Sequence, residues 1–488
     1  MTQTADDTHD RRFLSRRTVM LGAGVGALGS ALGALEVLGG LAHVPQRAAQ
    51  AAEAPSDVQF DLSAFTPAAT TLDGVAVRFP PVHTVFATAR LSRTPTRDDQ
   101  VALGAALGSI ESAYPWSPGG LFTEVAYGLP YFNRLDAGLV GRYVPRLRGR
   151  TRRSVLEEAV AGPTDVGTAN PGVTKQLFNV PVRIERNDLL FTFRSDVAGN
   201  IADVLAWLGG SGRLRGRRVA SPRLGAGLTF TSSRAMFIQL GLPRRLAQQS
   251  GLPYAGRINP ASSMWMGFVD QQVGANPAAP TVTFAGAQGQ PLTSARGGDY
   301  FDNGAVQHLA HDILDLAQFY ADDEPFTERV QYMFRSNPIP SEGNTDQFTD
   351  GGGGAVFPAT FQGNDDALHN AEALDTFQGE HRLGHLSCLH RSSRTPDGVP
   401  LHLRADGPGL DSMDVPDGTR QPKLQFSIYV PTADLFARMR VDQASLDLQN
   451  RFAVDPDDNG LERFITATRR QNFLVPPRRH RSFPLVEL

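Results

Sequence analysis

The chain has one cysteine, Cys388, among 488 residues, so it can form no internal disulfide. A protein that folds in a reducing compartment and is exported afterwards has no need of one. Lysine is nearly as scarce. Lys175 and Lys423 are the only two, and arginine carries almost all the positive charge, a usage read first as coding bias. The formal charge is only −3, and no basic stripe marks a nucleic-acid surface. No run approaches the ~20 apolar residues that span a bilayer. With 41% hydrophobic and 20% charged residues, the chain can bury a large core without covalent or metal staples.

The N-terminus reads as an address. Ser15-Arg16-Arg17-Thr18 precedes a weakly apolar Gly/Ala/Leu stretch from Val19 to Leu41 and an A-x-A pattern at Ala49-Gln50-Ala51. Paired arginines before such a core match a twin-arginine signal. Residues 1–51 are therefore expected to be a signal peptide read by the twin-arginine translocation machinery. The remainder is expected outside the cytoplasmic membrane, as an extracellular, cell-wall-associated or periplasmic protein with no stable membrane span.

Beyond residue 52 the pattern is mixed. Strand character runs from Val75 to Leu91, with a break at Pro80-Pro81. Val101, Leu103, Leu107 and Ile110 have helical spacing. Strands follow at Leu121–Tyr127 and Asp188–Phe193, then a helix at Val197–Leu208. After a boundary near 255 a second half begins. Leu309, Ile313, Leu316 and Phe319 suggest helical or strand-to-helix character. Leu424, Phe426, Ile428 and Val430 alternate as a strand, and a helix follows at Thr432–Met439. The fold class is α+β, helices on antiparallel sheets, with residues 52–255 and 256–488 as separate domains. The segments 209–260 and 337–380 read as long connections.

Five histidines fall between His369 and His402, and neutral imidazole is a common metal ligand. No HExxH pair or cysteine set supports zinc. His308 and His311, three apart on an expected helix, read as amphipathic packing. Asp270 ends the apolar run Met264–Val269, where a carboxylate at a pocket rim can have its protonation tuned. Arg404 ends Leu401-His402-Leu403 and offers a fixed planar cation.

Together these residues resemble the dye-decolorising peroxidase superfamily. The stretch Met266-Gly267-Phe268-Val269-Asp270-Gln271 is similar to its GFxDG motif, with Gln271 in place of the last glycine. Gly297-Gly298-Asp299-Tyr300 leads to His311-Asp312-Ile313-Leu314-Asp315-Leu316 as in the family, Gly384-His385-Leu386 resembles its proximal-histidine motif, and His402-Leu403-Arg404 its distal-arginine motif. Leu424–Tyr429 and Asn472–Pro477 resemble its last strands.

The resemblance implies two ferredoxin-like domains of the dimeric α+β barrel type, with haem b in the second. CxxCH is absent, so the haem would be held non-covalently. His385 is the implied iron ligand, with His390 and His381 as rivals, and Glu462 or Asp458 as the carboxylate behind it. Gly267, Phe268 and Arg404 would line the cofactor. Asp270 would move the proton of hydrogen peroxide, and Arg404 would stabilise the leaving oxygen. The partners implied are hydrogen peroxide and an unidentified organic reductant, and a homo-oligomer fits the same family. Trp116, Trp207 and Trp265 are either electron relays or core aromatics. Two other readings stay open: an exported haem-binding or iron-acquisition protein with little turnover, and a haem-free binding protein on the same scaffold.

Overall fold

The computed structural model describes residues 25–46, 55–148 apart from a few positions between 64 and 74, 153–157, 172–268, 277–286, 292–321, 328–333 apart from 330 and 331, 384–385 and 402–488. The helix α1 (Val25–Leu41) precedes a β-α-β-β-α-β unit. Its elements are β1 (His83–Arg90), α2 (Arg97–Ala113), β2 (Phe122–Gly128), β3 (Leu189–Ser195), α3 (Ala198–Leu208) and β4 (Thr229–Phe237), and α4 (Leu242–Gln249) follows. Thr96 opens α2 with a capping box to Asp99, a device worth about 1 kcal/mol. The antiparallel strand order is β2-β3-β1-β4.

The second half repeats the plan with β5 (Ala305–Leu314), β6 (Leu403–Arg404), β7 (Gly407–Asp411), β8 (Gln421–Val430), α5 (Ala433–Ala444) and β9 (Ile465–Val475). Here the order is β6-β8-β5-β9, with β7 extending the same edge against β8. In both halves the first strand lies between the third and fourth, which is the ferredoxin-like order. The α+β expectation is met.

One sheet contains both halves. Phe473 pairs with Gly128 and Leu474 with Tyr127, joining β9 to β2. At the far edges β4 and β7 come together. A Cβ on Gly409 would lie 2.8 Å from the Ala235 carbonyl oxygen, so glycine is needed for the backbones to approach. The sheet thus wraps into a barrel-like form, helices outside.

The strand registers sort the side chains. Val85, Phe191, Phe193, Val306, Ile428 and Leu474 face the helices and are buried there. The opposite face is the barrel interior, where polar residues stand beside a second apolar cluster that includes Phe86, Leu190, Leu309 and Phe473. Glu124, Thr192, Arg194, Arg234, Gln307, His311, Lys423, Gln425 and Ser427 are all nearly inaccessible. Buried charge is tolerated only when paired. Glu185 accepts from Arg234 and, at 3.2 Å, from Arg469. Arg469 also grips Asp414 at 2.5 and 2.7 Å. His311 Nε2 lies 3.2 Å from Asp411, and the Lys423 ammonium lies 3.6 Å from the same carboxylate while donating to the Met413 carbonyl at 2.7 Å. Burial raises the Asp411 carboxyl, but His311 and Lys423 outweigh it and hold it at about 2. Phe60 stacks on Tyr429 at 4.5 Å within this interior.

Three sequence expectations change. His308 and His311 lie on strand β5, not on a helix, and an odd spacing on a strand puts them on opposite faces. The supposed connection 209–260 contains β4 and α4. Trp207 and Trp265 are 1% exposed and Trp116 is 8% exposed, so all three are core aromatics.

Glu124 tests the interior. Burial raises its carboxyl to about 7, against the pull of Arg194, Tyr429 and Thr192. Unfolded, it titrates near ~4.3. The folded state therefore holds the extra proton between those values, and stability falls as pH rises through the window. Glu124→Gln is expected to change stability little near pH ~4 and to raise it by about 3 kcal/mol at pH ~8. Urea melts of both proteins across this range check it; a gap that does not widen with pH refutes it.

Candidate functional site

The helix-facing side of the second half carries an unusual row. Arg404 pairs with Ile428, Ile428 with His308, and His308 with Asn472, across β6, β8, β5 and β9. Directly opposed residues of antiparallel strands share a face, and strands are about 4.8 Å apart. Arg404 and His308 therefore stand on one face with a single strand between them. Burial lowers the Arg404 pKa and Asp406 opposes it; the guanidinium stays a cation.

His308 is 1% exposed. Its Nδ1 lies 2.7 Å from Asn472 Oδ1, an acceptor, so Nδ1 carries the hydrogen and Nε2 the lone pair. That Nε2 is buried with no hydrogen-bond partner among the described residues. Phe436 of α5 stacks on the ring at 3.4 Å between centroids. Burial, with Arg470 and Arg440 adding to it, takes the His308 pKa down to about 3 despite Asn472. Asp312, two residues along the same face, is pushed up to about 6 by burial against Arg470 and Arg440. A cavity of about 270 Å³ opens at Glu157, walled by Leu129, Phe132 and Arg153; neither His385 nor Arg404 is part of its wall.

Burial lowers the His385 imidazole to about 4, and the carboxylate that opposes this is Glu462. Glu462 is 4% exposed and sits in the turn Glu462–Phe464 that feeds β9. Arg440 of α5 reaches it at 3.4 Å. The Lys175 ammonium caps the carbonyls of Glu462 and Ile465. Arg463, its neighbour, turns instead to the Tyr332 hydroxyl at 2.7 Å. Of the two carboxylates left open by the sequence, Glu462 is the one whose charge acts on His385. Asp458 is in the preceding turn, Pro456–Asp458.

The Gly267-Phe268 segment is anchored at the barrel seam. Trp265 donates its indole N–H to the Gly409 carbonyl at 3.0 Å and packs edge-on against Phe237. The Tyr320 hydroxyl donates to the Trp265 carbonyl at 2.9 Å. Gly267 has φ of +82°, and a Cβ there would lie 3.2 Å from the Tyr320 hydroxyl. Phe268 is buried in the main core. Asp270, Gln271, His381 and His390 lie outside the described residues.

The arrangement thus sets the charge of Glu462 against His385, and puts Arg404 on the helix-facing side of the sheet. It adds His308, which sequence reading set aside because a helical spacing hid its place beside Arg404. Alternation with Val306 and Ala310 could have shown it.

Gly267→Ala should cost about 1–3 kcal/mol, since an L residue is strained at this φ and meets Tyr320. Tyr320→Phe combined with it should recover none of the backbone part. Chemical denaturation checks both, and a neutral Gly267→Ala refutes the assignment.

No curated protein is significantly similar to this chain. Among solved structures, it is similar to a DyP-type peroxidase from Cellulomonas bogoriensis at 15% identity, covering 87% of this chain and 96% of that one with a TM-score of 0.47. It is also similar to a dye-decolorizing protein from V. cholerae, at 13% identity, 85% and 96% coverage and a TM-score of 0.43. A Rhodococcus jostii DypB variant, solved in complex with heme, matches at 14% identity, 82% and 95% coverage and a TM-score of 0.41. A model of a family of unknown function, DUF7405, matches residues 81–166 and 157–477. Matched over most of its length, the chain belongs to the family DUF7405.

Proposed function

We propose that the chain is an exported haem-binding protein that reduces hydrogen peroxide at the expense of an organic reductant. The observation that carries this reading is His385: a half-buried imidazole kept neutral down to about pH 4, with the Glu462 carboxylate acting on it. An iron ligand must be unprotonated, and a carboxylate behind the ring raises its basicity. The residues present therefore fit a haem b held through His385. Such a haem would supply the redox chemistry that no side chain here supplies.

The chain's own residues would do the rest. Arg404 keeps its charge in a buried setting and can hold an anionic oxygen without reorganising. Asp270, by the motif resemblance, would take a proton from peroxide and return it to the leaving oxygen. Gly267 and Phe268 would close the wall. The leader reading adds export by the twin-arginine route to a compartment outside the cytoplasmic membrane; among the described residues no helix is long and apolar enough to cross a membrane.

One observation favours the weaker activity. Gln271 stands where the motif has glycine, and only glycine adopts positive φ freely. On that reading haem binds and turnover is slow.

The expected spectrum separates these outcomes. Full-length protein produced with haem supplied should show a Soret band, and His385→Ala should lose or shift it. His308→Ala should leave the band in place. Arg404→Leu should keep the band and lower peroxide turnover by about 10²-fold or more. A band indifferent to His385→Ala moves the ligand elsewhere, and colourless protein leaves only a haem-free binding role.

A further inference from the structure

The apolar core of the leader is part of the folded surface. Helix α1 lies over the helix-facing side of β4, beside α3 and α4. Leu28, Ala31, Leu35 and Leu38 are 1%, 0%, 2% and 4% exposed, a stripe at spacings of three, four and three. The opposite side of the helix is glycine and charge: Gly26, Gly29 and Gly40 meet nothing within 4 Å of a built Cβ, and Glu36 is exposed. Leu32, Val37 and Leu41 are half-buried beside that stripe.

The groove is shaped for this helix. Its floor is Ala235 and Phe237 of β4, and Leu246 of α4 forms one wall. On the other wall, α1 comes so close to α3 that a Cβ on Gly39 would lie 3.4 Å from that of Ala198. Ser233 is the polar residue on that floor, and it is used. Its hydroxyl accepts from the Ala31 N–H at 3.1 Å and donates to the Ala27 carbonyl at 2.7 Å. Past the helix end, Gln239 locks His43 through both backbone groups, accepting from its N–H at 3.0 Å and donating to its carbonyl at 2.6 Å. Side-chain hydrogen bonds to helix backbone at both ends of the contact fix register as well as burial.

We infer that the groove over β4 is a binding site for the chain's own leader: the folded protein holds residues 25–41 on its body and withholds them from the membrane. Arg16 and Arg17 lie outside the held segment, eight residues or more before it. Export then requires the helix to be released, and removal of residues 1–51 uncovers Ala235, Phe237 and Leu246.

Amide hydrogen exchange on the purified full-length chain tests this without any translocation step, so its failure is separate from failure of the export or peroxidase readings. Residues 25–41 should exchange at least about 10²-fold more slowly than unstructured peptide. Leu35→Asp should abolish that protection while 83–90 and 189–195 keep theirs. Should Leu35→Asp unfold the body, Ser233→Ala decides: loss of its two hydrogen bonds should speed exchange at least about 5-fold within 25–41 alone. Free exchange of 25–41 in the unaltered chain overturns the inference. So does protection that survives Leu35→Asp, or a Ser233→Ala variant indistinguishable from the parent.

Discussion

Glu185 takes a guanidinium from each half of the chain. Arg234 reaches it from β4, fully buried, and Arg469 from β9, half-buried. Removing one partner of such a contact strands a buried charge, at a cost of about 3–5 kcal/mol, whereas replacing the whole set by apolar residues need cost nothing. What the network contributes is therefore a link: Glu185, paired with Arg234 in its own half, also takes Arg469 from the other. Arg469 passes the constraint to Asp414, and His311 and Lys423 close it through Asp411. The β9–β2 pairing joins the halves along one seam, and the shared carboxylate fixes how they face each other.

The outer face of the second half carries polar groups among apolar ones. Arg404, His308 and Asn472 project there between Ile428 and Leu474, and α5 brings Arg440 to Glu462 from the other side. His308 is held neutral by burial and tethered at Nδ1, a state usual for an imidazole whose other nitrogen serves as a ligand or acceptor.

Elements whose apolar face meets the helices were legible in the sequence. Leu424, Phe426, Ile428 and Val430 alternate because their face packs under α5, and β8 was expected where it lies. β4 was not, because Ser232, Ser233 and Arg234 interrupt its pattern: two of them point into the barrel and the third binds the backbone of α1. β5 looked partly helical because both of its faces are buried and carry histidine, so no period of two stands out. His385 and Arg404 were reachable only through motif resemblance, since a half-buried neutral imidazole and a surface one read alike in a sequence. Glu462 could not be chosen over Asp458 because the choice depends on a turn geometry that spacing does not encode.

The two lysines have a consequence of their own. Lys423 is 0% exposed in the barrel, and the ammonium of Lys175 is occupied by two backbone carbonyls before β9. Every other cation in the chain is a guanidinium, an imidazolium or the terminal amine. Acylating reagents that seek primary amines will thus spare Lys423 while the barrel is closed and mark it when it opens. The chain carries its own chemical gauge of whether it is folded.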